Sequence, residues 1–177
     1  HGVRITDGAI VAAAVLSDAS KVKFVPLNSQ QRFTSLQAGE IDVLSRNSTW
    51  TLTRDASLGV EFTGINYYDG QGFMVPKKLN IASAKKMNGA TVCVQAGTTS
   101  EKNVADYFGA SNMKYKPVVF DTAEAITSAF FAGRCQVYTT DMSDLAGARS
   151  KAPKPDDYVI LPQVISKEPL GASVRRG

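Results

Sequence analysis

Short apolar segments alternate with capped helical segments, and this alternation constrains the fold more than any other feature of the chain. The apolar segments have the length of strands and are bounded by turn residues; they are residues 21–27, 41–46, 90–95, 116–120, 135–141 and 158–162. The helical segments begin with capping residues and end at or near glycines; they are residues 29–39, 98–109 and 121–133. Most of the apolar segments are too continuously apolar to be half exposed, which is typical of strands covered on both faces. The sequence therefore predicts an α/β fold with parallel sheets flanked by helices.

Two extended segments interrupt this alternation. Residues 62–78 are rich in glycine and leave no room for a helix, and residues 164–174 follow the last α/β unit. Two extended crossings that bracket one region predict a domain inserted into another domain, with a two-stranded hinge between them. We expect lobe 2 to cover residues 76–166 and lobe 1 to combine residues 1–75 with residues 167–177.

The composition argues against several classes of function. Among 177 residues there are 20 Lys and Arg and 16 Asp and Glu, which gives a net charge of +4. These cations are scattered and are not gathered with aromatic residues on one face, so no nucleic-acid partner is expected. The apolar segment 9–16 is shorter than the roughly 20 residues of a membrane span. With His1 as the single histidine and only two cysteines, neither a metal site nor a cofactor is expected.

Several stretches of the chain resemble the periplasmic substrate-binding proteins of polar amino-acid ABC transporters, the two-lobed Venus flytrap family. They are FVPLNSQQRFTSLQAGEIDVLSRNSTWTLTRDASLG (24–59), YYDGQGFMVPKK (67–78), NGATVCVQAGTTSEKN (88–103) and GRCQVYTTDMSDLAGARS (133–150). Together they are similar to the general L-amino-acid-binding branch, over almost the whole chain from about Ala12 to Gly177. The resemblance implies a type II binding-protein fold, a periplasmic location after removal of a signal peptide, and no enzymatic activity. It also implies L-amino acids as ligands, with broad specificity, and ABC transporter permease subunits as partners.

The polar turn at residues 45–54, SRNSTWTLTR, follows an apolar strand. Arg54 supplies a planar fork that can bind both oxygens of a ligand carboxylate, which lysine cannot do. By the resemblance, Thr49 and Arg54 hold the carboxylate of an amino acid and Asn47 contacts its ammonium group. The alternative interpretation is a polar helix cap beside a surface arginine.

The second lobe offers a complementary set of groups. Thr98 and Thr99 open a helix just after a strand and a glycine, where free N–H groups and the helix dipole favour an anion. Capping of the helix by Thr98 is the simpler interpretation, and the two roles are compatible. Asp141 ends the strand 135–141, at the edge where α/β sheets bind ligands, and it resembles the family's partner for the ligand ammonium. Asp144 is interpreted as a surface or capping residue.

Aromatic residues lie close to both regions. Trp50, the single tryptophan, either lines a side-chain pocket or packs in the core, and we favour the pocket. For Tyr67 and Tyr68 the pocket and hinge packing are equally supported. A pocket made mainly of hydroxyl groups and aromatic rings would select weakly among side chains.

The resemblance also bears on the two cysteines. Cys93 and Cys135 lie near the starts of two strands that the family places side by side, which implies a disulfide bond. Such a bond persists in an oxidising compartment. Two buried free thiols are the alternative.

Parts of the family pattern lie outside this sequence. The head of the chain, residues 2–16, lacks the family's acidic positions, and neither the family's first strand nor the helices that complete its first lobe are represented. The sequence therefore predicts an incomplete, truncated lobe 1 and a homo-oligomer formed through it. Two rival functions follow: a shortened lobe that has lost ligand binding and serves in assembly, and an enzyme similar to cyclohexadienyl dehydratase. For that enzyme, Asp69 and Asp141 are the candidate acids.

Overall fold

The computed structural model describes residues 2–177, with side chains from residue 8 onward. Unit 1 comprises the chain up to Tyr67 together with Pro169–Gly177, and unit 2 comprises Tyr68–Glu168. The sequence placed these boundaries at 75/76 and 166/167. The first boundary of the structure lies at 67/68, because one unbroken strand starts at Tyr67 and its residues 70–75 are buried in unit 2. The second lies at 168/169, two residues later than expected.

In chain order, the elements of the described residues are α1 (Gly2–Leu16), α2 (Arg32–Gln37), β1 (Val43–Leu44), α3 (Leu52–Ser57), β2 (Val60–Phe62), β3 (Tyr67–Pro76), β4 (Thr91–Gln95), α4 (Thr99–Ala110), β5 (Lys116–Phe120), α5 (Ala123–Phe131), β6 (Val137–Asp141), α6 (Met142–Ser150), β7 (Tyr158–Ile160), β8 (Ser166–Leu170) and β9 (Ser173–Arg175). Short 3₁₀ helices cover Lys77–Leu79, Ala84–Lys86 and Pro155–Asp157.

Unit 2 is built on a mixed sheet with the strand order β5-β4-β6-β3-β7, and β8 also pairs with β3. Strands β5, β4 and β6 are parallel, and helices α4 and α5 supply the crossovers that parallel neighbours require. Strand β3 instead pairs antiparallel with β6 and β7. The predicted α/β architecture with helix-covered sheets is confirmed. The parallel pairing is found in β5-β4-β6, and the antiparallel β3 and β7 make the sheet mixed.

The sheet of unit 2 carries a hydrophobic core on each face, because successive side chains of a strand point to opposite sides. Phe73 and Val92 belong to one buried cluster, which packs against Val104 and Phe108 of α4. The neighbouring residues Met74 and Cys93 belong to a second cluster. Helices therefore cover both faces, as the continuously apolar strands predict.

The predicted disulfide between Cys93 and Cys135 is confirmed, with a Cα–Cα distance of 5.7 Å. Cys93 lies within β4, and Cys135 lies two residues before the start of β6, which pairs with β4 in parallel. The bond therefore joins neighbouring strands within the second core cluster, where both cysteines are buried.

Unit 1 contains a small antiparallel sheet with the strand order β1-β9-β2. A parallel sheet was expected here, but β9, at the C-terminal end of the chain, inserts between β1 and β2 and runs against both. The hydrophobic core of unit 1 consists of Leu36, Leu44, Val60 and Phe62. The strand predicted over residues 21–27 is not formed. No strand pairing is recorded for it among the described residues, and Phe24 and Val25 are 52% and 38% exposed.

Helix capping follows the sequence pattern with small shifts. Thr98 caps α4 as predicted, whereas α5 is capped by Thr122 and not by Asp121. Asn28 closes a turn by accepting hydrogen bonds from the N–H groups of Gln30 and Gln31, so that α2 begins only at Arg32. Among the described residues, no helix has the length and apolarity needed to cross a membrane.

Candidate functional site

The polar turn of unit 1 is fixed by backbone contacts with the end of β8. Trp50 N donates to Pro169 O at 2.8 Å, and Gly171 N donates to Ser48 O at 3.1 Å. Between these bonds, Thr49 forms an isolated bridge with Leu170. Ser48 and Thr49 are buried, so the turn is a rigid part of unit 1.

Arg54 lies in the first turn of α3, where this rigid turn also orients it. The helix is capped by Thr51, whose hydroxyl accepts a hydrogen bond from Arg54 N at 3.1 Å. The guanidinium donates from Nη1 to Thr49 O at 2.9 Å and lies 5.1 Å from the ring centroid of Phe33. These contacts bring two predicted site residues, Thr49 and Arg54, together in one turn.

A second arginine supports the same turn and was not singled out from the sequence. Arg32 is 2% exposed, and its Nη1 donates to Ser48 Oγ at 3.1 Å and to Asn47 O at 3.4 Å. Its guanidinium lies 5.0 Å from the Phe33 ring centroid. Two guanidinium groups therefore contact Phe33 and the peptide groups of residues 47–49, which gives this turn a positive character.

The aromatic candidates differ in their surroundings. The ring of Trp50 stacks on that of Phe62 with a centroid distance of 5.6 Å and an interplanar angle of 8°. Trp50 is half-buried and packs against the core of unit 1. Tyr67 and Tyr68, by contrast, are 55% and 75% exposed. Part of the Trp50 side chain therefore packs in the core of unit 1. The side chains of the two tyrosines are exposed, each on its own unit.

In unit 2 the hydroxyl of Thr98 serves the helix. It accepts a hydrogen bond from Glu101 N at 3.2 Å and donates to Gln95 O at 2.7 Å. The Glu101 carboxyl in turn accepts from Gly97 N at 2.9 Å. Because these bonds occupy the hydroxyl hydrogen of Thr98, what the residue can offer an anion is its backbone N–H at the positive end of α4.

The side chain of Thr99 is also directed by a neighbour. Its hydroxyl donates to Glu168 Oε2 at 2.9 Å, and the other carboxyl oxygen of Glu168 accepts from Asn103 Nδ2 at 2.8 Å and from the Ser166 hydroxyl. Glu168 is 1% exposed. The sequence analysis did not identify Glu168, because the contact spans residues that are distant along the chain.

Asp141 is buried at the end of β6, as predicted from its place in the strand. It lies opposite Gln71 of β3, another residue that the sequence analysis missed. The Gln71 amide donates to Ser100 O at 3.0 Å and to Thr139 Oγ1 at 2.9 Å. Gln71 therefore links the strand that carries Asp141 to the first turn of α4.

The other acidic groups near the end of β6 have structural roles. Asp69 accepts from Gly70 N at 2.8 Å, from Ser143 N at 3.3 Å and from the Ser143 hydroxyl, which fixes the start of α6.

Burial, with a smaller contribution from the charge of Asp144, raises the pKa of Tyr138 well above its usual range. Its phenol therefore stays neutral beside this acidic end of the strand.

Each unit thus brings its own predicted residues together. Unit 1 joins Asn47, Thr49, Trp50 and Arg54 in a cationic turn, and unit 2 gathers Thr98, Thr99 and Asp141 around the start of α4. A carboxylate matches a guanidinium fork and a helix N-terminus, and an ammonium group matches an aspartate. Among the described side chains, no cluster of His, Cys, Asp and Glu has the makeup of a metal site.

Comparison with known proteins identifies a family and close relatives. The family of bacterial extracellular solute-binding proteins, family 3, matches residues 7–156. The general L-amino acid-binding periplasmic protein AapJ of Rhizobium johnstonii is 56% identical over 167 residues, which are 94% of this chain and 49% of that protein. The glutamate/glutamine/aspartate/asparagine-binding protein BztA of Rhodobacter capsulatus is 58% identical over 168 residues, again 94% of this chain and 49% of that protein. The chain therefore spans about half the length of these curated relatives.

A solved structure shares both fold and sequence with this chain. It is an ABC transporter periplasmic binding protein from Brucella ovis with glutathione bound, which is 56% identical and superposes with a TM-score of 0.93. The superposition covers 98% of this chain and 55% of that protein. The type II binding-protein fold implied by the resemblance is therefore confirmed.

Proposed function

The chain belongs to family 3 of the bacterial extracellular solute-binding proteins, and from this premise we propose that it binds L-amino acids in the periplasm and delivers them to the permease subunits of an ABC transporter. The relatives that are more than half identical to it carry amino-acid-binding names.

The observation that carries the proposal is the orientation of Arg54. A bond to Thr49 O at 2.9 Å and the Phe33 ring at 5.1 Å hold its guanidinium in one place. A planar fork with five N–H donors suits a carboxylate, and a fork oriented before binding loses less entropy when the ligand arrives. Arg54 and the Thr49 hydroxyl are therefore proposed to receive the ligand carboxylate, with Asn47 facing the ammonium group and Trp50 beside the side chain.

Unit 2 offers its own set of groups to an amino-acid ligand. The backbone N–H groups of Thr98 and Thr99 lie at the N-terminus of α4, where the positive end of the helix dipole favours an anion such as the ligand carboxylate. The Asp141 carboxyl, buried at the end of β6, is proposed to pair with the ligand ammonium. Because this scheme uses the groups that all amino acids share, it supports broad specificity.

Calorimetric titration of the chain tests this function. The ligands are L-glutamate, L-glutamine, L-aspartate, L-asparagine, the D-enantiomers and, because of the Brucella ovis structure, glutathione. We expect binding of L-amino acids and an affinity at least tenfold lower in Arg54→Ala, since truncating one partner of a buried charge pair costs about 2–5 kcal/mol.

Two further variants sharpen the assay. Arg54→Lys keeps the charge without the planar fork, so we expect only partial recovery of affinity. Arg134 is exposed and lies 5.9 Å from the Phe120 ring centroid, so Arg134→Ala removes a comparable cation–ring contact that involves none of the proposed ligand-binding side chains. Equal affinity of Arg54→Ala and Arg134→Ala would reject the role of Arg54, and absence of any amino-acid binding would reject the proposed function for this chain.

We propose that the chain is a binding protein without enzymatic activity. The candidate acids of the rival dehydratase-like enzyme are Asp69 and Asp141, and Asp69 caps the start of α6 through Ser143. Of these two candidate acids, Asp141 is therefore the one that could still act as a positioned proton donor. Formation of a dehydrated product from prephenate or arogenate would contradict this proposal.

We propose that the chain self-associates through unit 1, as the sequence predicts. The apolar side chains of Ile10, Val15 and Leu16 on α1 of unit 1 are 60%, 73% and 49% exposed. Apolar side chains gathered on one helix favour burial against another surface. Light scattering of the chain is expected to show dimers or larger species that dissociate in Val15→Lys, and a wild-type monomer at all concentrations would refute the proposal.

A further inference from the structure

Glu168 is a buried acidic residue at the last position of unit 2, and its carboxyl group gathers donors from α4 and β8. It is 1% exposed. Oε2 accepts from the Thr99 hydroxyl at 2.9 Å, and Oε1 accepts from Asn103 Nδ2 at 2.8 Å and from the Ser166 hydroxyl. A further bond joins Asn103 Nδ2 to Ser166 Oγ at 3.1 Å. All of these contacts lie within unit 2.

The two contacts with α4 act on one face of the helix. Thr99 and Asn103 are four residues apart, so their side chains lie one above the other. Thr99 is also the first residue of α4, where the backbone N–H groups have no partner within the helix. A carboxyl group that holds both side chains therefore fixes the direction of these N–H groups.

The same contacts fix the Thr99 side chain. Because its hydroxyl donates to Glu168 Oε2, the hydroxyl hydrogen is directed at Glu168, and a ligand carboxylate would meet the backbone N–H groups of this turn instead. We propose that Glu168 is a positioning residue for amino-acid binding: it sets the rotamer of Thr99 and the orientation of the first turn of α4 toward the ligand carboxylate. This inference rests on the proposed function, because it deepens the role of Thr99 in that site.

The chemistry of the cluster favours a carboxyl group at this position. The Thr99, Asn103 and Ser166 donors converge on two oxygens, and a carboxylate accepts at both without offering a competing donor. In Glu168→Gln one oxygen becomes an NH₂ group of the same size. This NH₂ group then faces either the Thr99 hydroxyl or the Asn103 amide, each of which donates to Glu168 in the wild type. Because two donors cannot form a hydrogen bond, one of the two side chains must reorient.

The test combines Glu168→Gln with Thr99→Val in a double-mutant cycle, with L-glutamate and L-glutamine as the ligands. Glu168→Gln is expected to bind about tenfold more weakly than the wild type, as loss of one buried hydrogen bond to a charged group predicts. The double variant is expected to lose less affinity than the two single losses added together, because part of the effect of Glu168 passes through Thr99. Glu124→Gln, an exposed glutamate in the first turn of α5, serves as the matched control and is expected to bind as the wild type does.

A second measurement without ligand separates this inference from the proposed function. Hydrogen exchange of the α4 segment Thr99–Ala110 is expected to quicken at least fivefold in Glu168→Gln, while the α5 segment Ala123–Phe131 is unchanged. Unchanged exchange in α4, an unchanged affinity in Glu168→Gln, or losses that add in the double variant would each overturn the positioning role. Wild-type protein that binds none of the amino acids would reject the proposed function, while the exchange comparison still decides whether Glu168 orders α4.

Discussion

Gln71 and Asp141 lie directly opposite each other in the antiparallel pair formed by β3 and β6. Opposed residues of an antiparallel pair project to the same face of the sheet, and this face is the one that α4 covers, since Gln71 Nε2 donates to Ser100 O at 3.0 Å. Both residues are buried, at 0% and 4% exposure. The strand end that carries Asp141 is thereby tied to the start of α4, and the two predicted parts of the unit 2 site belong to one hydrogen-bonded framework.

The first prediction concerns Asp141. Asp141→Asn removes a charge at the end of β6 with almost no change in shape, so we expect amino-acid affinity to fall more than tenfold, by about 2–5 kcal/mol. Calorimetry with L-glutamine measures the change. Asp144→Asn, in the first turn of α6, is the control and is expected to change affinity less than twofold. Equal effects of the two substitutions would show that Asp141 has no special contact with the ligand.

The second prediction uses two matched helix caps. Thr98 accepts from Glu101 N at 3.2 Å, and Thr122 accepts from Ala125 N at 3.2 Å. Either substitution by alanine should reduce the free energy of unfolding by about 1 kcal/mol, which is typical for loss of a threonine cap. Only Thr98→Ala should also weaken amino-acid binding, because α4 and not α5 begins at the proposed site. Urea unfolding and calorimetry measure the two effects, and equal affinity in both variants would remove the α4 N-terminus from the site.

The sequence predicts local features of this fold well. The strand over 116–120 is found at the predicted residues, and the start of α4 follows from Thr98 because a threonine cap acts within three residues of itself. Continuous apolar character also correctly predicts a sheet covered on both faces. The antiparallel pairing of β3 with β6 and β7 was missed, and so was that of β9 with β1 and β2. The direction of pairing depends on where distant segments enter a sheet and leaves no local pattern.

The candidate site shows the same division between local and distant contacts. Arg54 and Thr49 were found because they share one polar turn. Glu168 was missed because its contact with Thr99 spans 69 positions, and Gln71 because its contact with Thr139 spans 68. Neither residue has a neighbour in sequence that indicates its partner. From the sequence alone, a polar side chain of this kind is therefore predicted to lie on the surface.

The third prediction concerns the close approach of two glycines in unit 1. A Cβ atom at Gly171 would overlap the carbonyl oxygen of Gly64, a backbone atom that cannot rotate away. We expect Gly171→Ala to lower the free energy of unfolding of unit 1 by about 1–3 kcal/mol, as overpacking does. Urea unfolding followed by fluorescence of Trp50, the single tryptophan, reports this unit.

Gly109 provides the control for this substitution. It lies in α4 of unit 2, and apart from its chain neighbours and the backbone of its own helix, no atom would come within 4 Å of a Cβ at this position. Gly109→Ala should therefore stabilise α4 by about 0.4–1 kcal/mol through a better helix propensity. The Trp50 transition should stay at the wild-type urea concentration. A Gly171→Ala variant that unfolds at the same concentration as Gly109→Ala would show that the backbone near Gly64 accommodates the methyl group.

The last prediction concerns the disulfide between Cys93 and Cys135, which closes a loop with a sequence separation of 42. On the chain-entropy model, a loop of this length stabilises the folded state by roughly 4 kcal/mol. The paired substitution Cys93→Ala with Cys135→Ala should therefore lower the melting temperature of unit 2 by roughly 15 °C or more and leave the urea midpoint reported by Trp50 in unit 1 unchanged. Non-reducing mass spectrometry of the wild type should find no thiol that iodoacetamide can alkylate. Reduction by dithiothreitol should lower the melting temperature of the wild type and leave that of the paired variant unchanged. Equal melting temperatures for the oxidised and the reduced wild type would show that the bond contributes nothing to stability.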